Sequence, residues 1–445
     1  MRRVAITGLG VVSPLGIGIE EHWASLISPR SAITRSKRLA DQGFPVDVAA
    51  EIAEESLRQH LHRLPRKQIK LYSRVTLFGM IASSLAAEDA GLGSEQVDPT
   101  RIGVFFGTFF TVLDFSAFLK WMAATESKEV SQTLDLPRAN EYCMTSINPM
   151  DYSLKTMPNL AAGHIAIAHN AQGFCRVIAD GCTGGLQAVG QAYLAIKEDQ
   201  LDLALCGGAE APLEEWVFIN LCTLDFLARG DDDPDKSCRP FDTSRSGTVL
   251  GEGAGIFVLE ELEHARRRGA KIYGEIMGFG SSAGDRSIYQ LSVKDRSSPG
   301  VLDFRVDGIA KRLGLAMRTA LAEAGADKVE LIAANGDSTK THDLAETQAI
   351  KKVFGPTARE IPITATKAMH GHLVSASGAV ELMTCLAALK QGIIPPTINL
   401  RNPDPLCDLD YVPNKPRPWP NMKTALVNAV GLFGESATIV VRKDV

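Results

Sequence analysis

The sequence predicts an α/β protein made of two similarly organised halves, residues 1–262 and 263–445. Three observations lead there. Short apolar stretches bounded by glycine alternate with longer segments whose apolar residues recur at helical spacing, the pattern of strands covered by helices. The alternation occurs twice, with the second series beginning at Ile272. The chain has 445 residues, more than one core of about 100–200 residues would use. With 45% hydrophobic and 22% charged residues it has the balance of an ordinary globular chain, so a large core rather than disorder is expected.

Residues 4–6 read as a buried strand running into Gly8-Leu9-Gly10. A lone G-x-G suggests a dinucleotide loop, but Ser13-Pro14 follows where a third glycine is needed, and a nucleotide site is set aside. Residues 74–91 put Leu77, Ile81, Leu85 and Ala86 on one helical face, 102–107 is strand-like, and 182–199 is helical again. Residues 108–160, with Trp121, several methionines and a Pro158-Asn159 turn, break the alternation and read as an insertion. The second series has a strand at 272–279, a helix at 308–324, a strand at 331–334 and a helix at 343–354. A strand at 361–366 and a small-residue helix at 375–391 follow. This spacing predicts largely parallel sheets with both faces covered. The join between halves, near 262–271, is read from its Arg- and Gly-rich composition.

A formal net charge of -5 and no dense basic block interleaved with aromatics argue against nucleic acid. The basic run Arg266 to Arg268 precedes Gly269 and reads as a helix end, where cations meet exposed carbonyls. The acidic run Asp231 to Asp233 reads as a solvated loop. The N-terminal apolar stretch is short, broken by glycine and without a small-residue cleavage site, and no run of about 18 uncharged apolar residues occurs, so a cytoplasmic protein without a membrane span is expected. Eight cysteines without C-x-x-C spacing favour buried thiols over a disulfide framework or a zinc site.

The strongest local signal is Asp180-Gly181-Cys182-Thr183-Gly184-Gly185, preceded by apolar residues and followed by Leu186, Val189, Tyr193 and Ile196 at helical spacing. Cys182 then stands at a helix N-terminus, where unpaired N–H groups and the dipole favour thiolate and lower the thiol pKa. Gly184 and Gly185 allow close approach of another backbone or a ligand. Taken alone, a cysteine at such a turn is more often simply buried than a nucleophile.

Other segments resolve that choice through a resemblance. The opening from Arg3 to Gly10, Pro158-Asn159-Leu160-Ala161-Ala162-Gly163-His164, the cysteine turn, and Cys206-Gly207-Gly208-Ala209-Glu210 all resemble the β-ketoacyl-carrier-protein synthases of the synthase II type and their type II polyketide relatives. So do Arg239-Pro240-Phe241-Asp242, Lys367-Ala368-Met369-His370-Gly371-His372 and Pro395-Pro396-Thr397-Ile398-Asn399, and the match runs end to end. The resemblance implies a thiolase-like fold, two pseudo-duplicated halves with mixed sheets sandwiched by helices in five layers. It implies that Cys182 is acylated from a carrier-protein thioester, that His372 is the second of two histidines assisting malonyl decarboxylation, that Lys367 is the active-site lysine and that Glu381 is its partner acid. No cofactor or metal is implied, because the substrates ride on the phosphopantetheine of an acyl carrier protein. The expected partners are that carrier protein and a second subunit, in a homodimer or a heterodimer, with the 108–160 insertion shaping interface and acyl tunnel.

The chain also departs from the family. Where the family has His-Gly-Thr-x-Thr, it reads Asn335-Gly336-Asp337-Ser338-Thr339. An amide donates a hydrogen bond but cannot carry charge or exchange a proton near neutrality, so decarboxylation should be weakened. Asp337 adds a carboxylate. The family's Gly-Phe-Gly-Gly-Thr-Asn loop is Gly431-Leu432-Phe433-Gly434-Glu435-Ser436, which puts Leu432 at the gating position, keeps its backbone N–H as an oxyanion donor beside Phe433, and brings a charge close by. His370 could partly replace the missing histidine, with a packing role favoured; His164 reads as structural and His342 as a turn residue. The leading expectation is a ketosynthase-type acyltransferase with modified or impaired decarboxylation. The alternative is a non-elongating partner subunit resembling a chain-length factor. Coenzyme A thiolase chemistry is set aside, because residues 431–436 carry no second cysteine.

Overall fold

The computed structural model describes residues 2–93, 97–109, 115–126, 133–147, 155–224, 226–230, 233–284, 289–292 and 301–443. Asp231 and Asp232 of the acidic run, and parts of the 108–160 insertion, lie outside them. The described residues of the insertion include two helices, Phe115–Thr125 and Leu136–Ser146, with a bridge between Glu126 and Leu134.

The first half contains β1 (Val4–Ser13), α1 (Arg74–Asp89), β2 (Ile102–Gly107), α2 (Asn159–Ala168), β3 (Cys175–Ile178), α3 (Gly184–Lys197), β4 (Leu203–Glu210) and β5 (Gly253–Glu261). The second repeats this order with β6 (Gly274–Ser282), α4 (Val306–Ala324), β7 (Ile332–Ala333), α5 (Lys340–Phe354), β8 (Ile363–Thr364), α6 (Ser377–Gln391), β9 (Thr424–Val430) and β10 (Ser436–Arg442). Each half orders its strands alike, β3-β2-β4-β5-β1 and β8-β7-β9-β10-β6. Antiparallel pairing of Val4 to Ile6 with Gly274 to Ile276 joins the halves into one sheet.

The sheet is mixed rather than largely parallel. β3, β2 and β4 are parallel, as are β8, β7 and β9, while β5 and β10 run antiparallel to both neighbours. Connection length explains part of this, because only residues 431–435 separate β9 from β10, enough for a hairpin but not for a crossover. Helices α1 and α2 cover the first half, α4 and α5 the second, and α3 and α6 lie between the halves, touching strands of both. That is a five-layer stack. α6 buries every residue from Ser377 to Leu389, so it lacks the polar face that outer helices show.

The Gly8-Leu9-Gly10 motif proves to be a packing device. A Cβ at Gly8 or Gly10 would lie 2.2 or 1.9 Å from the Ala86 or Ala82 carbonyl of α1. Gly278 and Gly280 of β6 stand against the Ala320 and Ala316 carbonyls of α4, both at 2.1 Å. Strand and helix approach too closely for any side chain, and the device occurs once in each half. The basic run ends the short helix Leu262–Arg267, where Arg268 pairs with buried Glu260 at 2.7 Å.

Candidate active site

Cys182 lies in a single 3-10 turn, Gly181–Thr183, directly before α3, and is 7% exposed. Gly181 has φ 52°, the left-handed region that glycine enters without penalty. The Thr183 hydroxyl holds the turn by donating to Asp180 Oδ2 at 2.9 Å. Gly184 and Gly185 admit Ser375 rather than a ligand: a Cβ added at either would meet its Oγ at 2.6 Å or its carbonyl at 2.3 Å. Ser375 in turn donates to the Gly181 carbonyl at 2.8 Å. The segment that follows His372 is thereby fastened to the turn that carries Cys182.

His372 is buried and its tautomer follows from its partners. The Val374 N–H donates to its Nδ1 at 2.9 Å, and a backbone N–H can only donate, so a neutral ring carries its proton on Nε2. Val374 accepts a φ of 47° to do this, a strained conformation for a β-branched residue. Burial, then the Lys367 charge, pushes the His372 pKa down to about 3, so the ring stays neutral. Nε2–H is buried without a partner among the described residues. It is a preset hydrogen-bond donor for an oxygen that enters the site.

The Cys182 thiol departs from expectation. Burial pushes its pKa up, Glu435 and Asp337 push it further, and Lys367 opposes them. A helix N-terminus favours thiolate, yet here the sulfur is almost wholly removed from water and faces carboxylates, so the resting group is a thiol.

Asn335 follows β7. Its Oδ1 accepts from the Val430 N–H at 3.2 Å, which turns Nδ2 onto Asp337 Oδ2 at 3.2 Å. Asp337 also pairs with His342 Nδ1 at 2.5 Å and accepts from the Thr339 N–H and hydroxyl. Burial opposes charge on both groups, but their mutual attraction holds Asp337 below the usual carboxylate range and His342 above the usual histidine range. His342 is therefore an ion-pair partner and not a plain turn residue. Phe226 has its ring 5.8 Å from that of His342 and 6.5 Å from that of His372.

The expected Lys367–Glu381 pair is not formed. Lys367 Nζ donates to the Asn335 carbonyl, while Glu381 accepts from the Thr366 hydroxyl at 2.8 Å and lies 3.6 Å from His370 Nε2. Burial raises the Glu381 pKa, but His370 and Lys367 outweigh it and the group sits below its ordinary value. His370 donates through Nδ1 to the Gly371 carbonyl at 2.7 Å, so both its nitrogens are engaged, in keeping with a packing role. Glu346 accepts the Asn335 and Gly336 N–H groups at 2.9 and 3.0 Å and the Asn428 amide at 3.0 Å. Sequence reading misses Glu346 because nothing in α5 distinguishes it from any helical glutamate.

In the β9–β10 turn Leu432 is buried and Phe433 is 47% exposed. Glu435 folds back toward the nucleophile turn, accepting from the Phe433 N–H at 3.0 Å, with Oε1 where a Cβ on Gly181 would lie 2.6 Å away. Burial, reinforced by Asp180, pushes its pKa up to about 7. Among the described residues no group of three or more His, Cys, Asp or Glu is placed to hold a metal, and no helix is long and apolar enough to cross a membrane.

Two family models match the chain: Beta-ketoacyl synthase, N-terminal domain, over residues 1–265, and Beta-ketoacyl synthase, C-terminal domain, over residues 304–401. The 3-oxoacyl-(acyl-carrier-protein) synthase 2 of Coxiella burnetii is 33% identical over 448 residues, 99% of each chain. The ishigamide ketosynthase/chain length factor superposes with a TM-score of 0.83 at 28% identity, covering 100% of both chains. A type II polyketide synthase acyl-carrier protein in complex with its ketosynthase bound to the hexaketide gives a TM-score of 0.82 at 29% identity, again over 100% of both.

Proposed function

The chain belongs to the β-ketoacyl synthase family, and from that premise we propose that Cys182 takes an acyl chain from the phosphopantetheine arm of an acyl carrier protein, as the acceptor step of fatty acid or type II polyketide synthesis. The sulfur attacks the thioester carbon, the Cys182 and Leu432 N–H groups receive the oxyanion, and the pantetheine sulfur leaves with the proton the thiol gives up. His372, through its Nε2–H, donates to the malonyl thioester oxygen as carbon dioxide departs. Lys367 positions Asn335 through its carbonyl, Glu381 and His370 hold Thr366, the residue before Lys367, and Leu432 occupies the gating position with Phe433 beside it. The protein works in the cytoplasm as a homodimer or beside a second ketosynthase-like chain.

The observation that carries this reading is the Ser375 bond that ties the buried Cys182 turn to the segment of a neutral, unpartnered His372. Decarboxylation is weakened, because Asn335 replaces a histidine and directs its amide at Asp337; loss of one oxyanion donor costs about 3 kcal/mol. Intact-protein mass spectrometry with an acyl carrier protein tests the reading. An acyl adduct that disappears in Cys182→Ala is expected, and an adduct that survives the substitution defeats it.

The engaged Asn335 favours one second reading, a chain-length-factor-like subunit that shapes the tunnel of an active partner. Such a chain needs a ketosynthase partner for solubility and turnover, which co-purification detects.

A further inference from the structure

Asn335 leaves a task unfilled in the site, and an imidazole stands one carboxylate away from it. Asp337 Oδ2 accepts from the Asn335 amide at 3.2 Å and, on the same atom, from His342 Nδ1 at 2.5 Å. His342 is thereby fixed beside the place that a histidine at 335 would occupy. Its ring is buried, and the Phe226 ring packs against it and against His372, with centroids 5.8 and 6.5 Å apart. The charge of His342 acts on the ionisation of His372 and of Glu435, and that of Asp337 acts on Cys182, so these groups share one site. Among the described residues Nε2 of His342 makes no hydrogen bond, just as Nε2 of His372 makes none.

We propose that His342, gripped through Nδ1 by Asp337, is a catalytic residue whose Nε2–H meets the oxygen of the malonyl thioester beside that of His372, taking up part of the task that Asn335 cannot perform. This rests on the malonyl thioester entering at His372 and names a second donor there. In the step, the bond between the carboxylate carbon and the α-carbon breaks and carbon dioxide leaves. The electron pair passes through the α-carbon onto the thioester oxygen as an enolate, which both Nε2–H groups hold by hydrogen bonds without giving up a proton. A charged donor binds a developing anion better than an amide does. The two rings are prepared differently. The Val374 N–H donates to Nδ1 of His372, so the neutral ring already carries Nε2–H. Asp337 accepts at Nδ1 of His342, so a neutral ring would keep its one proton there, and only the imidazolium offers Nε2–H. Burial disfavours that charge, but Asp337 from the loop after β7, Asp343 from α5 and Glu435 from the β9–β10 turn outweigh it, with His372 uncharged on the other side of Phe226. As pH rises Glu435 gains charge through about 7 and Asp343 through about 8, which favours the imidazolium further.

The test follows release of acetyl-pantetheine from malonyl-pantetheine by the full chain, beside acylation of the intact protein by butyryl-pantetheine. Between about pH 6 and about pH 9 the wild-type release rate should fall about tenfold or more through an ionisation above the ordinary histidine value. Glu435→Gln should keep that fall, which separates it from repulsion between carboxylates. Asp337→Asn combined with His342→Gln removes both charges at once and strands neither in the interior. This double variant should slow release at about pH 7 about tenfold more than it slows butyryl acylation, and should lose the pH dependence. The pH profile needs no change at 337 or 342, so it decides the matter even if the double variant fails to fold. A rate that stays level from about pH 6 to about pH 9, or a double variant that slows both reactions alike or neither, overturns the proposal. No acetyl thioester from the wild type, or butyryl adducts that persist in Cys182→Ala, mean that the underlying reading has failed and the role of His342 with it. Cys182-dependent adducts together with level release sink the role of His342 alone.

Discussion

The Ser375 hydroxyl donates to the Gly181 carbonyl across 2.8 Å, and this one bond sets the register between the turn before Cys182 and the segment after His372. Ser375→Ala should leave that buried carbonyl without its side-chain donor, at a cost of about 1–3 kcal/mol. A lowered urea midpoint with an unchanged slope, together with slower Cys182 acylation, is the expected outcome. Normal acylation in a destabilised variant would show that the bond serves stability alone.

Gly181 and Glu435 should be coupled. Gly181→Ala forces a side chain into a backbone with φ 52° and into Glu435 Oε1, 2.6 Å from the new Cβ. The strained backbone alone costs about 1–3 kcal/mol, and the clash adds to it. Glu435→Ala removes the clash but not the strain, so the double variant should recover part of the loss, giving a coupling of about 0.5–3 kcal/mol in a denaturation cycle. Strict additivity would place the carboxylate elsewhere.

The Asp337–His342 pair predicts how stability follows pH. His342 has its folded pKa raised above the ordinary 6.5, so its contribution is complete below 6.5 and is lost as pH rises through the folded value. Asp337 has its folded pKa depressed below the ordinary 3.8, so its contribution is complete above 3.8 and is lost as pH falls through the folded value. The pair therefore stabilises most between those two ordinary values. His342→Gln leaves a buried carboxylate without its cation and should cost about 3–5 kcal/mol, measured by urea unfolding at mildly acidic pH. It should also shrink the alkaline decline.

Asn335→His should restore a donor that can also carry charge. Malonyl-carrier-protein decarboxylation is expected to rise about tenfold or more, alone and beside any partner ketosynthase. Equal rates in both proteins would mean that another feature, such as the carboxylates around Cys182, limits the chemistry.

Periodicity located most elements within a few residues. The strand at Ile102–Gly107 lies where the pattern puts it, and the helices ending at Phe354 and Gln391 end as read. Apolar spacing reports local burial, which the chain specifies over short windows. Strand direction was less legible, since the antiparallel course of β5 and β10 depends on which distant strand each one meets.

The sequence by itself determined the alternation of strands and helices, its duplication, the turn that presents Cys182, and the two departures at Asn335 and Glu435. Only the tertiary structure decided what those residues do to one another. It sent Lys367 to the Asn335 carbonyl instead of Glu381, made His342 the counter-ion of Asp337, and set Glu435 beside Gly181. It also turned the expected thiolate into a buried thiol. The reason is physical: residue type and spacing set local conformation, whereas hydrogen-bond partners, desolvation and charge depend on atoms brought from far along the chain.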